Sequence, residues 1–191
     1  MKMGIIAEDD SDVAVVRELT LSLLKPRRIG FKRFVGNGCG KLRRKCRAWA
    51  ENLVLQGCPW VAIVHDLDVH NERKLRAELT SAIAAVRMQA NVILIPKREI
   101  EAWLLYDAGA IAAALNERRR PRLPGNPETL TDPKRFLGKL VWMCYHKDYL
   151  NTIHNELIAK HINVSLLKKS GSFAPHPPFV KQIRAKLRQQ P

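Results

Sequence analysis

Acidic residues are scarce in this chain. Its 191 residues include 18 Asp and Glu against 33 Lys and Arg, a formal net charge of +15. That imbalance implies a polyanionic partner, and nucleic acid fits best. Cysteine is also sparse. Cys39, Cys46, Cys58 and Cys144 show no CxxC or other metal spacing, which argues for reduced thiols and against a zinc site. No apolar run approaches the ~18 residues of a membrane helix. There is no internal repeat and no low-complexity segment, and at 46% hydrophobic residues the chain is expected to be globular. The stretch GNGCGK at 36–41 lacks the spacing and the hydroxyl of a P-loop. The opening MKMGIIAEDD turns acidic after a short apolar stretch, which suits neither a signal nor a transit peptide. The expected location is the cytoplasm.

The positive charge is clustered. One group is Lys25, Arg27 and Arg28; a second is Lys41, Arg43, Arg44, Lys45 and Arg47. Arg118, Arg119, Arg120 and Arg122 make a third, and Lys181, Arg184, Lys186 and Arg188 a fourth. The second group falls on one predicted helix and is the expected guide for a phosphate backbone.

The pattern predicts strands at 3–7, 31–35, 60–64 and 91–95, the last ended by Pro96. Helices are predicted at 13–24, capped by Asp10 or Ser11 and stopped by Pro26, at 41–55 and at 72–88. Strand–helix alternation with nearly continuous apolar strands indicates an α/β fold with a mainly parallel four-stranded sheet. Beyond Lys97 the pattern becomes helical: two short helices, a proline-rich loop at 121–133, then helices at 133–144 and 151–161. The expected division is an α/β core at 1–107 and a helical C-terminal portion at 108–191 packed on it. Trp49, Trp60, Trp103 and Trp142 read as core residues, and of His65 and His70 one is expected to pack and one to be exposed.

The few acids sit at telling places. Glu8, Asp9 and Asp10 follow the first strand, Asp66 and Asp68 the third, and Glu99 and Glu101 the fourth. Sites in parallel sheets form beyond the carboxyl ends of the strands, and neighbouring strands lie ~4.8 Å apart. Converging carboxylates repel one another unless a cation sits among them, and Mg²⁺ is the usual one. Metal ions of this kind stabilise the attacking and leaving oxygens of a phosphodiester. Each acid alone has a plainer reading: Asp10 or Asp12 as a helix cap, Glu99 and Glu101 as first-turn acids favoured by the helix dipole. Their joint placement favours the metal.

GIIAEDDSD after the first strand and VAIVHDLD later in the chain resemble the TOPRIM fold, with its glutamate after strand one and its DxD after a later strand. IPKREIEAWLLYD, LPGNPETLTDPKRFL and SGSF look like a small stand-alone TOPRIM-like family related to the OLD-type nucleases, often encoded beside ATPases in bacterial defence loci. The resemblance implies a metal-dependent nuclease acting on DNA or RNA with Mg²⁺ or Mn²⁺, as the effector of an anti-phage system with a nearby ATPase as partner. Carried over by position, it makes Glu8 a metal ligand or general acid/base and Asp66 and Asp68 the DxD ligands. Asp12 becomes a second acid and Glu101 a further ligand, while Lys97 stabilises charge on the phosphate. One departure stands out: Asp9 occupies the position after the glutamate where that family commonly has glycine.

Two other readings compete. A phosphoacceptor receiver domain would use Asp9, Asp10, Asp66 and Lys97, but only one strand separates Asp66 from Lys97 where a receiver has two. A catalytically inactive adaptor would grip nucleic acid or an ATPase without cutting, and its binding would survive chelation.

Overall fold

The computed structural model describes residues 1–26, 29–36 and 38–189. Arg27 and Arg28 of the first basic cluster lie outside the described residues. Four strands, β1 (Lys2–Ala7), β2 (Gly30–Val35), β3 (Trp60–Val64) and β4 (Ala90–Leu94), form one sheet in the order β2-β1-β3-β4. Every neighbouring pair is parallel.

Side chains alternate across this sheet, as the strand period dictates. Met3, Ile5, Ala7, Trp60, Ala62, Val64, Val92 and Leu94 enter one core, whereas Ile6, Val61, Ile63 and Ile93 enter the other. Helix α1 (Asp10–Leu24) covers the first face; α2 (Cys39–Leu55) and α3 (Glu72–Ile83) cover the second. Gly4 lets α2 approach β1 closely, because a Cβ there would lie 2.6 Å from Leu53 Cδ1.

The C-terminal helices join the first core. They are α4 (Glu101–Leu104), α5 (Ala108–Ala114), α6 (Pro133–Tyr145), α7 (Asn151–His161) and α8 (His176–Arg188). Ile111, Leu137, Ile158, Phe179 and Ile183 pack in the same cluster as β1 and β3, so the portion after residue 107 completes the core of the sheet.

Two expectations need correction, and one helix lies outside them. The cap of α1 is Asp9, not Asp10 or Ser11. Its side chain accepts from Asp12 N at 3.0 Å, and Asp12 Oδ2 accepts in return from Asp9 N at 3.3 Å, a reciprocal capping box. Helix α3 stops at Ile83 instead of reaching 88, since the chain turns there (Val86 N to Ile83 O, 2.9 Å) and packs Val86 and Met88 against the second core. Helix α8 has no counterpart in the sequence pattern. Its opening His-Pro-Pro reads as a breaker, yet proline is well suited to a first helical turn, where its missing N–H costs nothing.

Among the described residues no helix is long and apolar enough to cross a membrane. Cys46, Cys58 and Cys144 are free thiols, and burial pushes the Cys46 thiol up to about 11.

Candidate metal and phosphate site

The connections define where a site belongs. From β1 the chain moves outward to β2 over one face; from β2 it crosses β1 to reach β3 over the other. The carboxyl ends of β1 and β3 therefore flank the point where the winding reverses, the place where parallel sheets open a crevice. Glu8 leaves β1 there and Asp66 leaves β3. Asp66 N donates to Glu8 Oε1 at 3.1 Å.

Parallel pairing of β3 with β4 continues past both strands: His65 N to Leu94 O, Leu67 N to Pro96 O and Asp68 N to Arg98 O, at 3.0–3.1 Å. The DxD segment is thus carried outward on a ladder. Asp68 (φ 46°) and Arg98 (φ 65°) both adopt left-handed backbone, and Arg98 Nη1 donates to Asp68 O at 2.7 Å. Such conformations cost about 1–2 kcal/mol per residue and collect at functional sites where surroundings impose them. Asp9, at the position where the family that the sequence resembles commonly has glycine, is in ordinary extended backbone (φ −139°), so its Cβ causes no strain.

Five acids gather around this edge. Asp12 is 4% exposed and Glu101 3%. Burial pushes the Asp66 carboxyl well above the usual range, and the charges of Asp12, Glu101, Glu8 and Asp68 push it further. Asp12 is raised in the same way, by burial first and then by Asp9, Glu101 and Glu8. Asp66 Oδ1 is buried without a hydrogen-bond partner among the described residues. Buried polar atoms are nearly always paired, and an orphaned carboxylate oxygen surrounded by like charges fits the chemistry of a cation ligand. The other acids are held from one side: Glu8 at Oε1, Asp12 at Oδ2, Glu101 at Oε1. Each carries a second oxygen able to accept. Among the described residues no group of three or more His, Cys, Asp or Glu side chains is placed so that it could hold a metal ion as it stands.

His65 is fully buried beneath Glu8. Its Nδ1 lies 2.9 Å from Glu8 Oε1 and 2.7 Å from Asp66 O. Both partners are acceptors, so Nδ1 carries the proton. Burial alone would lower this imidazole's pKa, but the hydrogen bond and charge of Glu8 overcome it and the net shift is upward. His70 is half-buried and meets His65 edge-on at 5.8 Å.

The C-terminal helices supply groups that no local motif announces. Asn155 Nδ2 donates to Glu101 Oε1 at 3.0 Å and to Ser11 Oγ at 2.7 Å, and Tyr149 Oη reaches Glu101 Oε1 at 3.3 Å. Helix α7 therefore fixes Glu101 against α1. Burial and the charge of Glu101 push the Tyr149 phenol far up, so it serves as a donor. Asn155 and Tyr149 lie 54 and 48 residues from Glu101, a separation no sequence spacing encodes.

The predicted cations divide. Lys97 is paired with Glu72 of α3 and does not join the acids. Glu72 is held below the usual range by its hydrogen bond from Lys97 despite partial burial, with Arg76 adding to the effect. Helix α2 begins at the same sheet edge as the acids. Lys41, Arg44, Lys45 and Arg47 are exposed on it; Arg47 pairs with Glu51 at 2.9 Å. Arg43 pairs with Glu78 at 3.5 Å and is close enough to bear on the charge of His65. Asp10 pairs with Arg33 at 2.6 Å. Glu99 accepts from Lys134 N at 2.8 Å, at the start of α6.

The LPGNPET and SGSF stretches meet at Glu128. Glu128 accepts from Ser170 Oγ (2.7 Å), Gly171 N (3.1 Å), Ser172 N (3.1 Å) and Ser172 Oγ (2.5 Å). Trp103 Nε1 donates to Ser172 Oγ at 2.8 Å. These residues build scaffold.

Trp142 contradicts its core assignment. Trp60 and Trp103 are buried and Trp49 stacks on Phe34 at 5.5 Å, but Trp142 is 55% exposed.

A family described as a domain of unknown function, DUF4276, matches residues 10–175, and the chain belongs to it. No curated protein and no solved structure matches.

Proposed function

We propose that this member of the DUF4276 family is a TOPRIM-like nuclease that hydrolyses phosphodiester bonds of DNA or RNA with Mg²⁺ or Mn²⁺. Glu8, Asp66 and Asp68 are the residues that would hold the ion, with Asp12 and Glu101 completing its surroundings. A bound ion would supply charge neutralisation at the phosphate and an activated water. The observation that carries this reading is the buried, partnerless Asp66 Oδ1 among four further carboxylates.

The chain's own residues have separate tasks. His65 holds Glu8 from below through Nδ1, and Asn155 and Tyr149 hold Glu101. The exposed cations of α2 draw the phosphate backbone to the sheet edge, an attraction that weakens steeply with salt. Lys97, engaged with Glu72, acts as a strut for the β4 exit loop instead of meeting phosphate. A receiver-type phosphoacceptor is less well supported, because Asp9 caps α1, Asp10 is paired with Arg33 and Lys97 faces Glu72. Service as a defence effector beside an ATPase rests on the family resemblance alone, and a cytoplasmic location on the sequence reading.

The test is incubation with plasmid, single-stranded DNA and transfer RNA in Mg²⁺, Mn²⁺ or EDTA. Cleavage should require metal and fall at least about 100-fold in Asp66→Ala, the scale on which losing one charge-stabilising group slows turnover. Binding that persists in EDTA, with no cleavage under any metal, would make the chain an adaptor.

A further inference from the structure

We infer that the hollow between α6 and the start of α7 is a subsite for one unpaired nucleobase of a single-stranded nucleic acid, with Trp142 as its stacking platform. The site has meaning only if the chain takes nucleic acid, as proposed above.

The hollow has a volume of about 330 Å³ and is lined by Gly138, Lys139, Trp142, Met143, Lys147 and Tyr149 among others. Its apolar walls are open to solvent: Trp142 is 55% exposed and Met143 75%. Among the described residues the Trp142 ring has one aromatic neighbour, His146, perpendicular to it at 6.0 Å, and is stacked flat on none. Trp49, by contrast, is stacked parallel on Phe34.

Gly138 keeps the hollow open. It lies in the interior of α6, where glycine costs up to about 1 kcal/mol relative to alanine. A Cβ built there would meet the Tyr149 ring at 3.8 Å. That is ordinary contact, so alanine would fit, whereas a longer side chain would run into the space above the tyrosine.

Charge and position select the occupant. Lys139 and Lys147 stand at the rim, Lys147 steadied by Glu117 at 2.8 Å, on a chain of net charge +15. Asp148 is the one acid among the lining residues. Tyr149 is shared: its ring lines the hollow and its hydroxyl reaches Glu101 at 3.3 Å. One tyrosine side chain therefore separates the hollow from the acid cluster. A base held on Trp142 is linked to Glu101 through Tyr149. Aromatic platforms next to basic residues bind single strands in this manner, since every base has a stacking face while paired bases are already stacked.

The experiment measures binding of fluorescein-labelled single strands of about 12 nucleotides, within the usual site size, as DNA and as RNA. A matched duplex is the control, and fluorescence anisotropy is read in EDTA so that nothing is cut. Trp142→Ala should weaken single-strand binding about tenfold, Trp142→Phe much less, and Gly138→Gln about as much as Trp142→Ala, with duplex binding unchanged in all three. Should Gly138→Gln fail to fold, the two Trp142 variants decide. Variants that bind single strands like wild type, or that lose duplex binding equally, overturn the inference and leave the nuclease reading intact. A dimer seen by sedimentation and dissolved by Trp142→Ala would also overturn it, assigning the face to a second copy. Wild type that binds no nucleic acid would sink both.

Discussion

Two regions of the fold hold carboxylates and treat them in opposite ways: half-buried Glu128, and the strand-end acids around Asp66 and Asp12. Glu128 is surrounded by donors. Burial alone would raise its carboxyl, but hydrogen bonds from Ser172, Ser170 and Gly171 overcome that and hold it below the usual range. Asp66 and Asp12 are surrounded by other acids and are pushed well up. The first carboxylate is hydrogen-bonded on both oxygens; in the second group Asp66 Oδ1 has no partner among the described residues. Burial of a charge is tolerated when it is paired and hydrogen-bonded and costly otherwise. The contrast separates scaffold from site more firmly than any motif, because both regions contain residues that belong to the signature stretches.

The largest expected effect comes from taking one member of each group away. Asp66→Asn should reduce cleavage by at least about 100-fold while leaving the metal-free protein as stable as wild type or more so, since a repelled charge is removed. Thermal unfolding in EDTA beside a cleavage assay checks both halves, and a large loss of stability would break the comparison. Glu128→Ala should show the reverse. It strands Ser170, Ser172 and the Gly171 amide, and lost bonds to a charged group imply a destabilisation of about 2–4 kcal/mol. Chemical denaturation would measure it, with divalent-ion binding by the surviving folded fraction unchanged.

A buried imidazole sharpens the contrast. His176 is wholly buried, bonded through Nε2 to Thr20 Oγ1 at 2.9 Å, and burial lowers its pKa from 6.5 to about 3. Between those values only the unfolded chain takes up the proton, so stability should fall as pH drops from 6.5 toward 3. The slope should approach about 1.4 kcal/mol per pH unit from this residue. Unfolding curves across that range should flatten in His176→Gln; an unchanged slope would assign the acid sensitivity elsewhere. The smallest effect concerns the α1 cap. Asp9→Ala should cost about 1 kcal/mol and Asp9→Gly only a few tenths, as thermal unfolding would show.

Much of this architecture is written locally. The strands WVAIV and NVILI are apolar throughout because both faces of the sheet are covered, and the acids that follow them are visible as breaks in that pattern. Their convergence is legible because parallel strands end on one edge. The supports of the site are not legible. Glu101 depends on Asn155 and Tyr149, brought in by α7 and the loop before it, whose own spacing does not announce them. Lys97 has the right place in the chain for phosphate, yet Glu72, at the start of the helix that precedes β4, claims it. Trp142 has the composition of a core residue, and only the tertiary packing of α6 through Leu137 and Val141 leaves it outward. His-Pro-Pro conceals α8 because the same residues that break a helix interior also begin one.

The most direct measurement is calorimetric titration of Mn²⁺ into the wild-type protein and into Asp66→Asn, at a pH where the wild-type acids are ionised. The account predicts saturable binding by wild type that disappears in the variant, with Glu128→Gln binding as wild type does. Wild type that takes up no ion, or Asp66→Asn that binds it equally well, would contradict the assignment of the strand-end acids as a cation site.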